Sequence, residues 1–266
     1  MNAQAGIRKI GSFAQGTQCI LLGFRYLFSN PKLIAYAILP FIVQVAILVA
    51  LLAMFGGKFS ALFQWLSGWV QAWHIQNPDT IWLKTMNFFL WGATEFFRIL
   101  VFIVGIILVS IAGFVIGMVI TSPLNDLLSE KTEATQREPQ TVPFTLHYLW
   151  YLIRGELAKA VFLLAVPLAL LLFNLIPGFG TVIYVALSSI FGMWSMGIAY
   201  IDYPVSRANP TFGPRFAFYR EHFAAISGFG VIFFIPFFNF IFSSPLVVGS
   251  TLLYMRLTPQ SPQSRP

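Results

Sequence analysis

Charged residues are spread so unevenly along this chain that four long uncharged stretches stand out before any motif does. The first lies between Lys32 and Lys58, with an apolar body of 23 residues from Leu33 to Phe55. The second lies between Arg98 and Asp126, with a body of 23 residues from Ile99 to Thr121, and Pro123 is expected to limit its end. About 20 predominantly apolar residues cross a bilayer as an α-helix, so both bodies are predicted transmembrane spans with some tilt. Barrel strands would alternate apolar and polar residues at every second position, and these runs are continuous. Backbone polar groups in hydrocarbon must be paired within the chain, which leaves helices.

The third stretch, between Lys159 and Asp202, is interrupted by Ile176-Pro177-Gly178-Phe179-Gly180. Proline cannot continue a helix and the glycines open the backbone, so a turn is predicted there. Its first arm, Ala160 to Leu175, has 16 residues, about 24 Å of helix against a hydrocarbon core about 30 Å thick. The arm either crosses a thin membrane or dips in and returns as a re-entrant hairpin. The fourth stretch, between Glu221 and Arg256, is broken at Ile235-Pro236, and its first arm, His222 to Ile235, is 14 residues long. Paired interrupted segments of this kind mark a transport site or serve simply as packed hairpins.

The expected organisation is therefore a single membrane domain over 1–266, all-α, with two long transmembrane helices at 33–55 and 99–121. Two Pro/Gly-broken hairpins, half-penetrating or spanning, follow at 160–201 and 222–255. Trp65, Trp69 and Trp73 recur at i, i+4 and i+8, one face of a helix, so 58–98 is predicted to be an amphipathic interfacial segment at headgroup level.

Composition agrees. The chain is 58% hydrophobic and 9% charged, with a mean hydropathy of +0.77, where a soluble domain carries about 25% charged residues. A net charge of +7 would suggest nucleic acid in a soluble protein. Here the cations are dispersed, and they read as membrane-surface Lys and Arg or as the lining of an anion path. The lipid bilayer is thus the expected partner, with no nucleic acid. Arg8, Lys9, Arg25 and Lys32 favour a cytoplasmic N-terminus, and no signal-peptide pattern is read ahead of the first apolar run.

Chemistry-bearing patterns are few. Cys19 is the only cysteine, so no internal disulfide is expected. His74, His147 and His222 lack metal-ligand spacing, and neither a phosphate-binding loop nor a nucleophile elbow occurs. Neither an enzyme, a cofactor nor a metal is expected. After Pro177-Gly178-Phe179-Gly180 a helix should restart near Thr181, its free N–H groups pointing at membrane depth, which suits an oxyanion. Gly178, Gly180 and Thr181 are candidate ligands on that reading; the competing reading is a hairpin turn that only needs glycine. Ser29-Asn30-Pro31-Lys32 places Asn30 and Lys32 at the start of the first span. After Pro123 a helix is predicted to restart with Asp126 in its first turn. Ordinary capping or snorkelling is the alternative for both clusters.

The segments SNPKLIAYAILP (29–40), SPLNDLLSEKTE (122–133), NLIPGFG (174–180) and AYIDYP (199–204) occur in that order. Together they resemble the CysZ-type sulfate transporters of the etoposide-induced-protein domain family, over about residues 12–257. The resemblance implies an inner-membrane protein whose solute is an inorganic anion, sulfate, admitted for cysteine biosynthesis without an ATPase. It also implies two long helices with two partly penetrating hairpins, and assembly into homo-oligomers. The family carries a Gly-hydrophobic-Arg-Arg element where this chain has Lys32-Leu33-Ile34-Ala35. An arginine fork holds an oxyanion bidentately, whereas lysine offers a point charge. The alternative is a protein of the same fold that acts as a scaffold or on another solute.

Overall fold

The computed structural model describes residues 3–71, 79–139, 146–235 and 238–259, and these residues form helices and turns. In chain order the helices are α1 (Ala3–Ser29), α2 (Pro31–Gln71), α3 (Ile81–Ala134), α4 (Leu146–Leu171), α5 (Gly180–Ala208), α6 (Phe212–Glu221), α7 (Phe223–Phe229), α8 (Phe238–Ile241) and α9 (Ser243–Leu257). Short 3-10 turns follow α4 (Leu172–Leu175) and α7 (Gly230–Phe234). Among the described residues four segments are long and apolar enough to cross a membrane: Pro31–Gly68, Ile81–Gly113, Ile153–Leu175 and Gly180–Ala208. The chain forms two compact units, one of Met1–Phe41 with Ser122–Pro266 and one of Ile42–Thr121.

In the Ile42–Thr121 unit, α2 and α3 run antiparallel, with large side chains of α2 seated on glycines of α3. Gln44 lies against Gly117, Leu48 and Leu51 against Gly113, and Phe55 against Gly105. Small residues of this kind let helices approach closely where lipid removes any hydrophobic drive for association. Farther along, Phe59 meets Phe102 edge-on with centroids 4.9 Å apart, and the Arg98 guanidinium lies 5.0 Å over the Phe63 ring.

This packing corrects the predicted element boundaries. α2 does not stop at Gly56-Gly57-Lys58 but continues to Gln71, and α3 begins at Ile81, well before Ile99. Residues 58–71 and 81–98 are thus extensions of the two long helices rather than an element of their own. A glycine pair costs a helix about 1 kcal/mol per residue, and the contacts of Phe59 and Phe63 with Phe102 and Phe97 offset it. Trp65 is 78% exposed; Trp73 and the side chain of Trp69 lie outside the described residues. Nor does Pro123 end α3, which runs on to Ala134 without restarting at Asp126.

In the other unit, α1 packs along α7 and α9. Gly16 meets the Ala225 carbonyl and the Phe229 N–H, and Gly23 meets Pro245 and Gly249. The core holds Cys19, Ile198, Ile201, Val205, Phe229, Leu246 and Leu253. Ser244 through Met255 are all buried, so the apolar second half of the fourth stretch is explained by protein neighbours. Helix α1 went unread in the sequence, although Gly16, Ile20, Gly23 and Leu27, all buried, follow helical spacing.

The hairpin of α4 and α5 turns where predicted. The Gly180 N–H bonds to Ile176 O at 3.1 Å, and Gly178 adopts φ +82°, a left-handed conformation open mainly to glycine. Helix α4 starts before its charged residues Arg154, Glu156 and Lys159, so an arm counted from Lys159 understates the helix.

Candidate functional site

Charged residues that the apolar stretches exclude are gathered around the C-terminal half of α5. Asp126, Ser129 and Glu133 stand at i, i+3 and i+7 on α3, one face of the helix, and Arg207 of α5 engages all three. Its Nη1 donates to the Asp126 carboxylate at 2.5 Å and to the Asp126 carbonyl at 3.1 Å. Its Nη2 donates to Ser129 Oγ and Glu133 Oε2, each at 3.1 Å. Glu133 also takes Arg137 Nε at 2.8 Å, and Arg137 Nη1 reaches Thr258 O at 2.6 Å. Burial holds the Asp126 carboxyl above the ordinary carboxylate value, although Arg207 opposes this.

Five residues earlier on α5, Asp202 centres a second group. It accepts from Lys159 of α4 and from Tyr219 and Arg215 of α6, the last at 3.2 Å. Glu156 closes the ring, accepting both Arg215 Nη groups at 2.9 and 2.7 Å and pairing with Lys159 at 2.6 Å. Burial, with the Asp202 carboxylate beside it, pushes the Tyr219 phenol well above its usual range, so it stays protonated and donates.

Charge counting decides what these groups can do. Arg207 and Arg137 face Asp126 and Glu133, and Arg215 and Lys159 face Asp202 and Glu156. Each group is two against two. A balanced, hydrogen-bonded cluster has no positive surplus for an anion; it ties α3, α4 and α6 to α5 instead.

The sequence-predicted residues sit elsewhere. Asn30 caps the corner between α1 and α2, its amide donating to Tyr26 O at 2.7 Å and its carbonyl accepting the Leu33 N–H at 2.9 Å. Lys32 is exposed on the first turn of α2 and forms no ion pair among the described residues. Gly178 and Thr181 are exposed, while Gly180 is buried with its N–H turned inward to Ile176. That N–H is unavailable to a ligand, leaving Gly178 and Thr181 as the exposed candidates of the turn. Among the described residues no hydrogen bond joins the Asn30–Lys32 corner to the Gly178–Thr181 turn. Asp126 and Glu133 were legible as parts of one motif and Asp202 as part of another; Lys159 marked only the edge of an uncharged stretch, and Arg207 and Arg215 had no sequence signal.

Long apolar helices tied together by buried ion pairs define a polytopic α-helical membrane protein. The sequence profile described as sulfate transporter CysZ/etoposide-induced protein 2.4 matches residues 19–243, and the chain belongs to that family. Among its relatives, a sulfate transporter CysZ of Pseudomonas aeruginosa is 29% identical over 184 residues, 66% of this chain and 72% of that protein. One from Pseudomonas fluorescens is 31% identical over 147 residues, covering 52% and 59% of the two chains. Another, from Pseudomonas syringae pv. tomato, is 26% identical over 185 residues, 66% and 70%.

Proposed function

We propose that this protein is a membrane permease for an oxyanion, with sulfate the solute, supplying cysteine biosynthesis across a bacterial inner membrane. The observation that carries the reading is the family match over 19–243, which takes in both long helices and the α4–α5 hairpin, among relatives named as sulfate transporters. Its work is passage rather than catalysis. Lys32 is the exposed cation at the head of α2, with Asn30 beside it. Thr181 offers its hydroxyl at the head of α5 behind the Gly178–Gly180 turn. The N-terminus faces the cytoplasm, and copies of the chain assemble to enclose the path.

A second reading is favoured by one observation: Ile34 and Ala35 stand where the family resemblance calls for the two arginines. Without that fork the same fold acts on another solute or as a scaffold. Uptake of radiolabelled sulfate into liposomes, with wild type, Lys32→Ala and empty vesicles, separates the two. Uptake that falls in the variant supports sulfate passage past Lys32. Folded wild-type protein that admits no sulfate rules out the first reading.

A further inference from the structure

Between α4 and the start of α6 lies a cavity of about 240 Å³. Arg154, Gly155 and Ala158 line it from one helix, and Thr211, Phe212 and Gly213 from the other, with Tyr151 at its side. The neighbouring cluster of Glu156, Lys159, Asp202 and Arg215 is balanced within itself. Arg154 has no ion pair among the described residues, so the local surplus of positive charge is its own.

The start of α6 adds to this field. Thr211 is the N-cap residue in extended conformation, yet its side chain makes no capping bond. Among the described residues no hydrogen bond engages its hydroxyl, and the first-turn N–H groups of Phe212 and Gly213 have no carbonyl partner within the helix. A helix N-terminus carries roughly half a positive charge. A further donor stands behind the wall: Arg215 is fully buried and its Nε has no partner. A Cβ on Gly155 would lie 3.6 Å from Arg215 Nη1, 3.7 Å from Phe212 N and 2.7 Å from Pro210 O. Only glycine leaves this wall open.

We propose that the cavity binds an oxyanion, either free sulfate or phosphate or the phosphate group of an anionic lipid. The Arg154 guanidinium, the Thr211 hydroxyl and the N–H groups of Phe212 and Gly213 hold it. A guanidinium fork in one lining with N–H and hydroxyl donors matches several oxygens on one centre. The rings of Tyr151 and Phe212 leave apolar wall for the ester part of a lipid. Arg154 lies just outside the uncharged run that begins after Lys159, the level at which basic pockets meet headgroups. This site is separate from the Lys32 corner, and it stands whether or not the protein moves sulfate.

The test is equilibrium binding by the full chain in the Lys32→Ala background, so that the corner at α2 contributes nothing. In phospholipid-free detergent, sodium sulfate and sodium phosphate are titrated at constant ionic strength. In a second arm, retention of phosphatidylglycerol against phosphatidylcholine is read by native mass spectrometry. Arg154→Gln should weaken binding about tenfold or more, roughly the 1.4 kcal/mol of one charge-assisted contact. Thr211→Val should weaken it about threefold, with Arg154→Lys between Arg154→Gln and the parent. Binding in the titration identifies a free anion; selective lipid retention without it identifies a lipid phosphate. Binding of neither by the parent protein, or binding in either arm that Arg154→Gln leaves unchanged, overturns the proposal.

Discussion

Arg207 Nη2 and Glu133 Oε2 meet at 3.1 Å across 74 positions of sequence, and their side chains are 8% and 1% exposed. Removing one partner of such a pair leaves a buried charge uncompensated and costs about 3–5 kcal/mol. Arg207→Met should therefore lower the thermal midpoint of the detergent-purified protein sharply. A double change with Glu133→Gln should destabilise less than the two single effects added together. Strict additivity would show that the two residues do not interact.

Asp202 anchors three donors at once. Asp202→Asn leaves Lys159 and Arg215 sharing Glu156 alone, and the loss should be about 3 kcal/mol or more. Tyr219→Phe removes one hydrogen bond and should cost about 1–2 kcal/mol. The ordering of the two variants in thermal unfolding is the check: a Tyr219→Phe loss as large as that of Asp202→Asn would contradict it.

Glycines on α1 separate contact from propensity. A Cβ on Gly16 would run into the backbone carbonyl of Ala225, which cannot rotate aside, whereas one on Gly11 meets nothing within 4 Å. Gly16→Ala should lose about 2 kcal/mol or more by overpacking. Gly11→Ala should gain about 0.5–1 kcal/mol from helix propensity. Equal effects on thermal unfolding would mean that α1 does not lie against α7.

Gln44 is 3% exposed and its Nε2 has no hydrogen-bond partner. A buried donor without a partner costs about 1–3 kcal/mol. Gln44→Leu, close in size, should raise the thermal midpoint rather than lower it. A lowered midpoint would mean that the amide makes a bond that holds α2 to α3.

The long helices and the turn between α4 and α5 were legible in the sequence, because uncharged length and an Ile-Pro-Gly break are local signals. Helix ends were not. Gly56-Gly57-Lys58 and Pro123 carry the chemistry of termination, and in both places side-chain contacts beyond the break hold the helix together. The burial of α9 was equally hidden, since an apolar run facing lipid and one facing protein read alike. The balanced clusters escaped notice because Lys159, Asp202 and Arg207 are adjacent only after α3, α4, α5 and α6 have met. Lys32 and Thr181 could be named from sequence, but the inward turn of the Gly180 N–H could not.

The seating of α1 on α7 and α9 sets an order of events during synthesis. Helix α1 leaves the ribosome before the helices it packs on, and its small-residue face has no partner until more than two hundred residues later. At about 5–20 residues per second, that is about 10 to 40 seconds. Through this interval the Gly16–Gly23 face must be sheltered by lipid or by a chaperone. A helix made early is thus among the last to find its place, and a chain halted before Ser243 leaves its Gly23 end exposed to quality control.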